Sequence, residues 1–264
     1  MGDSFVSSCQ RTHCSPGPRR PTTGRSTEWS IGPDDGRGDG LPATFGPMSS
    51  SDHDLSDLRE EYARGGLAEG DLTPDPLDLF ARWYDEATEA GVHEPNAMVV
   101  ATVDPDGRPS SRFVLLKGFD GEGFRFFTNT ASRKGRGLAA DPRCALLFPW
   151  HPLERQVRVD GHAVPLPRAA VEAYFDRRPR GSRLGAWASH QSSPVAGREE
   201  LSEAYDEAER RFEGVDEVPP PDEWGGYVVV PDAIEFWQGR PGRLHDRLVY
   251  ERSGDGWVTR RLAP

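Results

Sequence analysis

The chain has 264 residues, and its 43 acidic residues outnumber the 32 basic ones, which gives a formal charge of −11. That charge disfavours non-specific nucleic-acid binding, which depends on neutralising phosphates, but it is compatible with a local basic pocket for a small anion. The sequence has neither an apolar run of about 18 residues nor a secretion signal, so we expect no membrane contact and a cytoplasmic location. Its three cysteines form neither a disulfide framework nor a zinc motif, and no metal site is predicted.

The first 47 residues differ in composition from the rest of the chain. They contain eight Gly, six Pro and six Ser, and their five Arg balance five acidic residues. Such a segment buries too little apolar surface to offset the entropy lost on ordering. We therefore predict a disordered extension over residues 1–47 and a folded domain over residues 48–264, with Met48 as an alternative start of translation.

From residue 54 onward, hydrophobic periodicity and turn residues predict regular elements. Two helices come first, over residues 54–64 and from the capping pair Asp75-Pro76 to Gly91. A β-rich half follows, with strands over residues 97–103, 111–118, 124–128, 143–150 and 156–164. Helices are then predicted over residues 168–177, 182–189 and 198–212, before strands over residues 227–230, 234–238, 244–251 and 257–262.

Tight turns join most of these strands, and such short connections favour antiparallel pairing. Because the helices are gathered in blocks, the pattern predicts a mainly β fold with flanking helices, in which the sheet forms a closed or nearly closed barrel. The sequence lacks a strand followed by a Gly-rich turn and a helix, which argues against a Rossmann fold or a P-loop.

The only two lysines of the chain, Lys117 and Lys134, lie in two segments that are candidates for phosphate binding. In the first, Arg112 and Lys117 stand at opposite ends of a strand, and alternation places them on opposite faces unless a bulge intervenes. In the second, residues 128–134 bring hydroxyls and two cations to a helix N-terminus, which favours a phosphate monoester. The alternatives are solvated surface charges in the first segment and a basic helix start in the second.

A second group of cations surrounds Pro179. Tyr174 and Arg178 are four residues apart, which predicts that they share one helical face, and Ser182 follows closely. The group fits a second phosphate or a carboxylate, and the alternative is a surface held by ion pairs. Cys144 lies in an apolar run, which predicts a buried and unreactive thiol.

The C-terminal segment contains a third candidate group of cationic residues. Residues 243, 245 and 247 alternate on the predicted strand, which would place Arg243, His245 and Arg247 on one face. Adjacent like charges favour a bound anion, and Trp237 can pack against a flat ring. Two polar positions, Gln156 on a strand and Gln191 in a turn, are weaker signals, because solvated strand faces and helix caps commonly contain such residues.

Six segments in register resemble the pyridoxamine 5′-phosphate oxidase family over about residues 55–264. They are RFVLLK at 112–117, FFTNTASRKG at 126–135, LLFPWHPLERQV at 146–157, YFDRRPRGSRLGAWAS at 174–189, HQSSP at 190–194, and IEFWQG with RLHDRLVYER within 234–252. The resemblance implies a split antiparallel β-barrel, working as a homodimer with FMN at the subunit interface. It also implies oxidation of pyridoxine and pyridoxamine 5′-phosphates to pyridoxal 5′-phosphate by O2, with release of H2O2.

The resemblance further implies a role for each matching residue. Cofactor contacts are implied for Arg112, Phe113, Val114, Leu115, Leu116, Lys117, Phe127, Thr128, Arg133, Lys134, Gln156, Gln191, Ser192, Trp237 and Arg247. Substrate contacts are implied for Arg59, Glu60, Glu61, Tyr62, Lys117, Tyr174, Arg178, Ser182, Arg243, Leu244 and His245. Arg243 and His245 are the catalytic candidates, over the reacting end of the pyridine. Phe127 stands where many relatives have Tyr, so a phenolic hydrogen bond to the flavin is absent.

Two other classes share parts of this pattern. Deazaflavin-dependent reductases use the same barrel, but they are not expected to combine the cations around Pro179 with the RLHDR segment. A non-catalytic protein that binds flavin or pyridoxal phosphate is the other alternative, and it would show flavin absorbance without oxygen uptake.

Overall fold

The computed structural model describes Tyr62 and residues 65–264. The predicted extension over residues 1–47, the substrate candidates Arg59, Glu60 and Glu61, and all of the predicted helix 54–64 except Tyr62 lie outside the described residues. None of the helices in the described part of the chain is long and apolar enough to cross a membrane.

Five α-helices and nine β-strands make up the described part of the chain. The helices are α1 Pro76–Glu89, α2 Arg133–Ala140, α3 Arg168–Phe175, α4 Arg180–Ala188 and α5 Arg198–Arg211. The strands are β1 Ala97–Val103, β2 Pro109–Leu115, β3 Gly118–Asp120, β4 Gly123–Asn129, β5 Arg143–Trp150, β6 Arg155–Pro165, β7 Trp224–Gln238, β8 Asp246–Ser253 and β9 Gly256–Arg261. The predicted strands 227–230 and 234–238 are thus parts of one long strand, β7.

The strands form one antiparallel sheet of the split-barrel type. Its order is β2-β1-β5-β6-β7-β4-β3, and β8 pairs with β7 and β9. One edge of β7 therefore pairs with β4 along its first half and with β8 along its second half, while the other edge pairs with β6. The register of β6 against β7 shifts between Asp160 and Gly161, where a Cβ on Gly161 would lie 2.2 Å from the Val230 carbonyl oxygen. Only glycine fits there.

Helix α1 begins and packs as its sequence predicts. The Asp75 carboxylate caps it by accepting the N–H of Leu77 at 2.9 Å, and Pro76 is the first helical residue. Its apolar face places the fully buried Phe80 against rings of the sheet, including Phe124 and Phe148 at centroid distances of 4.9 and 4.8 Å in edge-to-face geometry. This aromatic contact fixes the helix on the barrel core.

Helices α4 and α5 form a smaller apolar cluster of their own, built from Leu184, Ala208, Phe212 and Val218. The Arg180 guanidinium holds the end of α5 by donating to the carbonyl oxygens of Phe212 and Val215 at 2.7 and 2.6 Å. These bonds join the start of α4 to the residues that follow α5.

Candidate active site

A buried lysine lies in the first turn of α2, which Ser132 caps. The side chain of Lys134 is 8% exposed, and its Nζ lies 2.6 Å from Gln191 Oε1, 2.9 Å from Thr128 Oγ1 and 3.4 Å from Ser132 Oγ. All three partners are uncharged. Among the described residues, no carboxylate forms an ion pair with this ammonium.

The surroundings of Lys134 disfavour its positive charge. Burial, together with the nearby positive charge of Arg112, lowers the pKa of Lys134 to about 8. Buried charges in proteins are normally paired, because an unpaired one loses its hydration without compensation. The lysine therefore marks a position for an anionic group.

Two arginines lie close to this lysine but differ in their partners. The Arg112 guanidinium donates to Thr102 Oγ1 at 2.9 Å and to Ser110 Oγ at 2.6 Å, and burial lowers its pKa. Arg133 is exposed and forms an ion pair with Asp104, donating to Oδ2 from Nε at 2.7 Å and from Nη2 at 2.5 Å. Hydrogen bonding to Arg133 lowers the pKa of Asp104. Arg112 thus has neutral hydrogen-bond partners, whereas Arg133 already has a carboxylate.

The lysine lines a cavity of about 560 Å³, here called the lysine pocket. That volume is typical of small-molecule sites. Eleven of the residues assigned from the sequence line it: Phe113, Val114, Leu115, Lys117, Phe127, Thr128, Lys134, Tyr174, Arg178, Ser182 and Gln191. The fold thus brings together two of the predicted cationic groups, which are separated by more than 40 positions along the chain.

Tyr174 and Arg178 meet in this pocket, although α3 does not continue as predicted. The helix ends at Phe175, and Arg178 lies in the turn that follows. Burial raises the pKa of Tyr174 and lowers that of Arg178. In the described part of the chain, Nη1 of Arg178 is buried without a hydrogen-bond partner. A half-buried guanidinium with one buried donor free is well suited to a second anionic group.

The segment from Arg112 to Lys117 does not act as one regular strand. Strand β2 ends at Leu115, so the expected alternation does not extend to Lys117. Leu116 donates its N–H to the Asn96 carbonyl oxygen at 2.8 Å, and its side chain lies in the hydrophobic core outside the lysine pocket. Phe113, by contrast, is 68% exposed.

A second group of predicted residues, here called the Trp237 cluster, lies at the far end of β7. Gln156, Trp237 and Arg247 are register neighbours on β6, β7 and β8. The indole of Trp237 packs against Tyr62 and His245 at centroid distances of 5.8 and 4.7 Å. None of these five residues is among those that line the lysine pocket.

Arg247 is already paired within the described chain. Its Nε and Nη2 donate to the buried Glu235 carboxylate at 2.7 and 3.1 Å, and Nη1 donates to the Ala263 carbonyl oxygen at 3.0 Å. The Glu235 carboxylate also accepts from Arg158 at 3.3 Å.

The prediction that residues 243, 245 and 247 alternate on one strand is wrong. A short 3-10 turn occupies Pro241–Arg243, and β8 begins only at Asp246. Arg243 adopts a left-handed backbone with φ of 61°, and Leu244 is 74% exposed. The Pro-Gly pair at 241–242 favours a turn over an extended chain, which explains the difference. His245 accepts the backbone N–H of Arg240 at Nδ1, at 3.1 Å.

One further predicted residue, Ser192, and one residue that was not predicted, Trp224, differ in their relation to the lysine pocket. Ser192 lies in the turn after Gln191 with φ of 72°, and it does not line the lysine pocket. Trp224 lines the pocket but falls outside the predicted strand 227–230. An aromatic residue directly before the glycine pair at 225–226 was the available signal for it.

A split antiparallel barrel whose pocket is lined by a buried lysine and a half-buried arginine fits a class of proteins that bind an anionic small molecule beside the sheet. Comparison with known families narrows that class. Residues 84–211 match the pyridoxamine 5′-phosphate oxidase family, and residues 224–264 match the pyridoxine 5′-phosphate oxidase C-terminal dimerisation region.

Individual relatives agree with the family match. The chain is 67% identical over 211 residues to a pyridoxine/pyridoxamine 5′-phosphate oxidase of a Nocardioides species, covering 80% of this chain and 98% of the relative. The corresponding protein of Rubrobacter xylanophilus is 60% identical, with 80% and 97% covered. The chain therefore belongs to the pyridoxamine 5′-phosphate oxidase family.

Solved structures show the same fold. PhzG from Burkholderia lata, in complex with tetrahydrophenazine-1-carboxylic acid, matches with a TM-score of 0.70 and 36% identity, over 74% of this chain and 95% of that one. An FMN-binding protein from Nostoc punctiforme, related to pyridoxamine 5′-phosphate oxidase, matches with a TM-score of 0.59 and 18% identity, over 73% and 100%. The second match concerns the fold alone.

Proposed function

We propose that the lysine pocket and the Trp237 cluster together form the site at which this chain oxidises pyridoxine and pyridoxamine 5′-phosphates. The activity is that of the family: both vitamers are converted to pyridoxal 5′-phosphate with FMN as cofactor. The observation that carries the site assignment is the buried Lys134, surrounded by uncharged oxygen atoms.

The chemistry of the pocket fits a flavin phosphate. Lys134 lines the pocket, and Arg112, which is not in the pocket lining, is close enough for its charge to act on Lys134. Both cations have neutral hydrogen-bond partners, and the hydroxyl of Thr128 and the amide of Gln191 lie beside the ammonium. Charge-assisted contacts of about 1.5–3 kcal/mol each would hold a phosphate there. Bound FMN supplies the hydride-accepting chemistry and passes the electrons to O2, with formation of H2O2.

A second phosphate, that of the substrate, fits the other side of the same pocket. Arg178 has a buried donor without a partner in the described chain, and Tyr174, Ser182 and Lys117 line the cavity with it. These four residues would bind the substrate phosphate and fix the position of the pyridine ring. Binding energy from that remote group would orient the reacting carbon.

Arg243 and His245 would act at the reacting end of the substrate. Because Nδ1 of His245 accepts the Arg240 N–H, a neutral His245 has its proton on Nε2, which can donate a hydrogen bond to the substrate. The left-handed backbone of Arg243 is the kind of strain found at functional sites. We assign both residues to orienting the substrate, and Arg243 to stabilising its reactive ionisation state.

The two groups of residues would meet across the interface of a homodimer. The exposed Phe113 lies in a mainly apolar groove of about 500 Å³ that shares residues 113–115 with the lysine pocket. A second copy of the chain would cover this groove. Trp237, Arg243, His245 and Arg247 lie within the segment that matches the dimerisation region. The Trp237 cluster of one protomer would thus complete the lysine pocket of its partner.

Mixing two inactive variants tests this arrangement. Lys134→Met removes a residue of the pocket, and Arg243→Ala removes one beside the Trp237 cluster. If each site takes one group from each protomer, reassorted dimers regain about one quarter of wild-type activity, because half of the dimers are mixed and each mixed dimer has one intact site. A mixture that stays inactive, although co-purification of differently tagged protomers shows mixed dimers, would place both groups of a site in one protomer.

The activity itself is tested on the purified full-length protein. We expect a visible flavin spectrum and H2O2 release with pyridoxine and pyridoxamine 5′-phosphates, but not with the unphosphorylated vitamers at equal concentration. A bound flavin without peroxide release would indicate a non-catalytic binding protein, and reduction with a deazaflavin would indicate a reductase. We also propose a cytoplasmic location, and we propose that residues 1–47 are dispensable for activity, which a deletion of those residues tests.

A further inference from the structure

Strands β4 and β7 present two aromatic rings toward the residues proposed to bind the substrate phosphate. Phe127 is the register partner of Gly226, and Asn129 is the partner of Trp224. Cross-strand partners share a face, as do residues two apart on one strand. Phe127 and Trp224 therefore lie on the same face of the sheet, diagonally across the two strands.

Each ring packs against one of the phosphate-binding candidates. The ring of Phe127 lies parallel to that of Tyr174, with an interplanar angle of 8° and a centroid distance of 3.8 Å. The guanidinium of Arg178 lies over the indole of Trp224, 4.2 Å from its centroid, and 5.2 Å from the ring of Phe175. The sheet thus contacts both candidates through aromatic faces.

Nothing else in the described chain orients the Arg178 side chain by a polar contact. It forms no ion pair there, its Nη1 has no hydrogen-bond partner, and it lies beyond the end of α3. The indole N–H of Trp224 is likewise buried without a partner. The Trp224 ring therefore acts through its face on Arg178, and it contacts Phe175 in edge-to-face geometry at a centroid distance of 5.6 Å.

The glycine at 226 makes room for this arrangement. A Cβ at that position would lie 2.6 Å from Cδ1 of Phe127 and 3.0 Å from Cδ1 of Leu166. Any side chain there would push the Phe127 ring away from the sheet. The neighbouring Gly225 points to the opposite face, where a Cβ would lie 2.6 Å from Cγ2 of Thr130.

We propose that Phe127 and Trp224 form an aromatic platform that holds Tyr174 and Arg178 as one phosphate-binding unit, with Trp224 and Gly226 as positioning residues for the oxidation. The inference rests on the proposed function of the lysine pocket. A cation over an indole is attracted by the negative face of the ring, and this attraction grows when water is excluded. The platform fixes the arginine before the substrate arrives, so less conformational entropy is lost on binding.

Kinetics of the FMN-loaded enzyme test the platform. Trp224→Leu should raise the KM for pyridoxine 5′-phosphate about tenfold and leave kcat within about twofold, whereas Trp224→Phe, which keeps a ring face, should recover most of the affinity. In an Arg178→Ala background, Trp224→Leu should have little further effect, because the partner of the indole is already missing. Additive effects of the two substitutions would overturn the proposal.

Substitutions at Gly226 and at its neighbour Gly225 form a matched test and control in which no aromatic residue is altered. Gly226→Ala should raise KM and weaken binding of pyridoxal 5′-phosphate to the holoenzyme, measured by calorimetry. Gly225→Ala introduces the same 2.6 Å approach on the other face, beside Thr130 and the cofactor candidate Thr128, so it should leave both unchanged when FMN is saturating. Equal effects of the two variants would overturn the platform. Absence of oxidation by the wild-type enzyme would instead overturn the proposed function.

Discussion

The Nζ of Lys134 lies 2.6 Å from Oε1 of Gln191, a residue 57 positions further along the chain. The contact ties the first turn of α2 to the turn that precedes α5. Since no carboxylate among the described residues pairs with the Lys134 ammonium, the contact with the neutral Gln191 holds a cation in a position that suits an anionic ligand. The pKa of Lys134 is lowered to about 8 by burial and by Arg112, so the fraction of Lys134 that carries a positive charge depends on pH.

Cofactor affinity should therefore fall above pH 8. In the free protein Lys134 loses its proton as the pH rises through about 8, whereas a bound phosphate dianion favours the protonated form. The Kd for FMN should be nearly constant between about pH 7 and 8, where the phosphate is a dianion, and should rise about tenfold per pH unit above pH 8. Quenching of flavin fluorescence measures this Kd.

Two controls separate this effect from general changes in the protein. Riboflavin lacks the phosphate, so its Kd should not follow the same profile. Lys134→Arg keeps its charge over the whole range, so its profile should be flat even if its affinity is lower. A flat wild-type profile would contradict the role of Lys134.

The same shift has a consequence for the stability of the cofactor-free protein. The pKa of Lys134 is lower in the folded state than its ordinary value of 10.5, so the unfolded chain binds the proton more strongly. The contribution of Lys134 to the free energy of unfolding should thus rise with pH between about 8 and 10.5 and stay constant below 8. The difference between wild type and Lys134→Met, measured by urea titration, isolates this contribution.

Arg243→Gly should separate catalysis from stability. Glycine adopts the φ of 61° without strain, so the free energy of unfolding should stay equal or rise by about 1 kcal/mol. The guanidinium is lost, so kcat should fall about 100-fold while the Kd for FMN changes little. Equal losses of turnover and FMN binding would remove Arg243 from the substrate side of the site.

Glu235→Ala should destabilise the sheet by about 2 kcal/mol, because it leaves the partly buried Arg247 without its carboxylate. Glu251 is the control, since its ion pair with Arg260 on the neighbouring strand is largely exposed. Glu251→Ala should cost less than about 1 kcal/mol. The two values come from urea unfolding of the holoenzyme, and a larger loss for Glu251→Ala would refute the expectation.

Cys144 should resist alkylation in the native protein. The thiol is 9% exposed, and burial, assisted by Asp232 and Asp160, raises its pKa to about 12. The reactive thiolate is therefore scarce at pH 8. Peptide mapping after iodoacetamide treatment should find the Cys144 peptide unmodified in native protein and modified after denaturation. Rapid native labelling would contradict the burial of this side chain.

Local signals made much of the fold predictable. The capping pair Asp75-Pro76 starts its helix where expected, α2 begins within the segment 128–134 that was expected to contain a helix N-terminus, and the apolar pattern of residues 97–103 gives a complete strand. These features depend on neighbours in sequence. The predicted end of α3 at residue 177 was two residues too late: the helix stops at Phe175, shortly before Pro179, which disfavours a helical backbone in the residue that precedes it.

The arrangement of the site was less predictable than its composition. Sequence motifs indicated the cations, but alternation on an assumed strand placed Arg243 and His245 incorrectly, because the turn at 241–243 changes the backbone direction. Trp224 was missed, since its role arises from the register of β7 against β4. Tertiary structure also decides which cations have a carboxylate partner. Arg133 forms an ion pair with Asp104, whereas Lys134 has only neutral hydrogen-bond partners.

The long strand β7 limits where the chain can be cut into segments that fold separately. The match to the dimerisation region begins at residue 224, which is also the first residue of β7. Yet β7 forms ladders with β4, β6 and β8, so a chain cut at that boundary would lose three strands and expose two long unpaired edges. The C-terminal segment is therefore not a transplantable module. Exchanging it between relatives requires compatible side chains along both β4 and β6, and chimeras joined at 224 should aggregate unless those strands are exchanged with it.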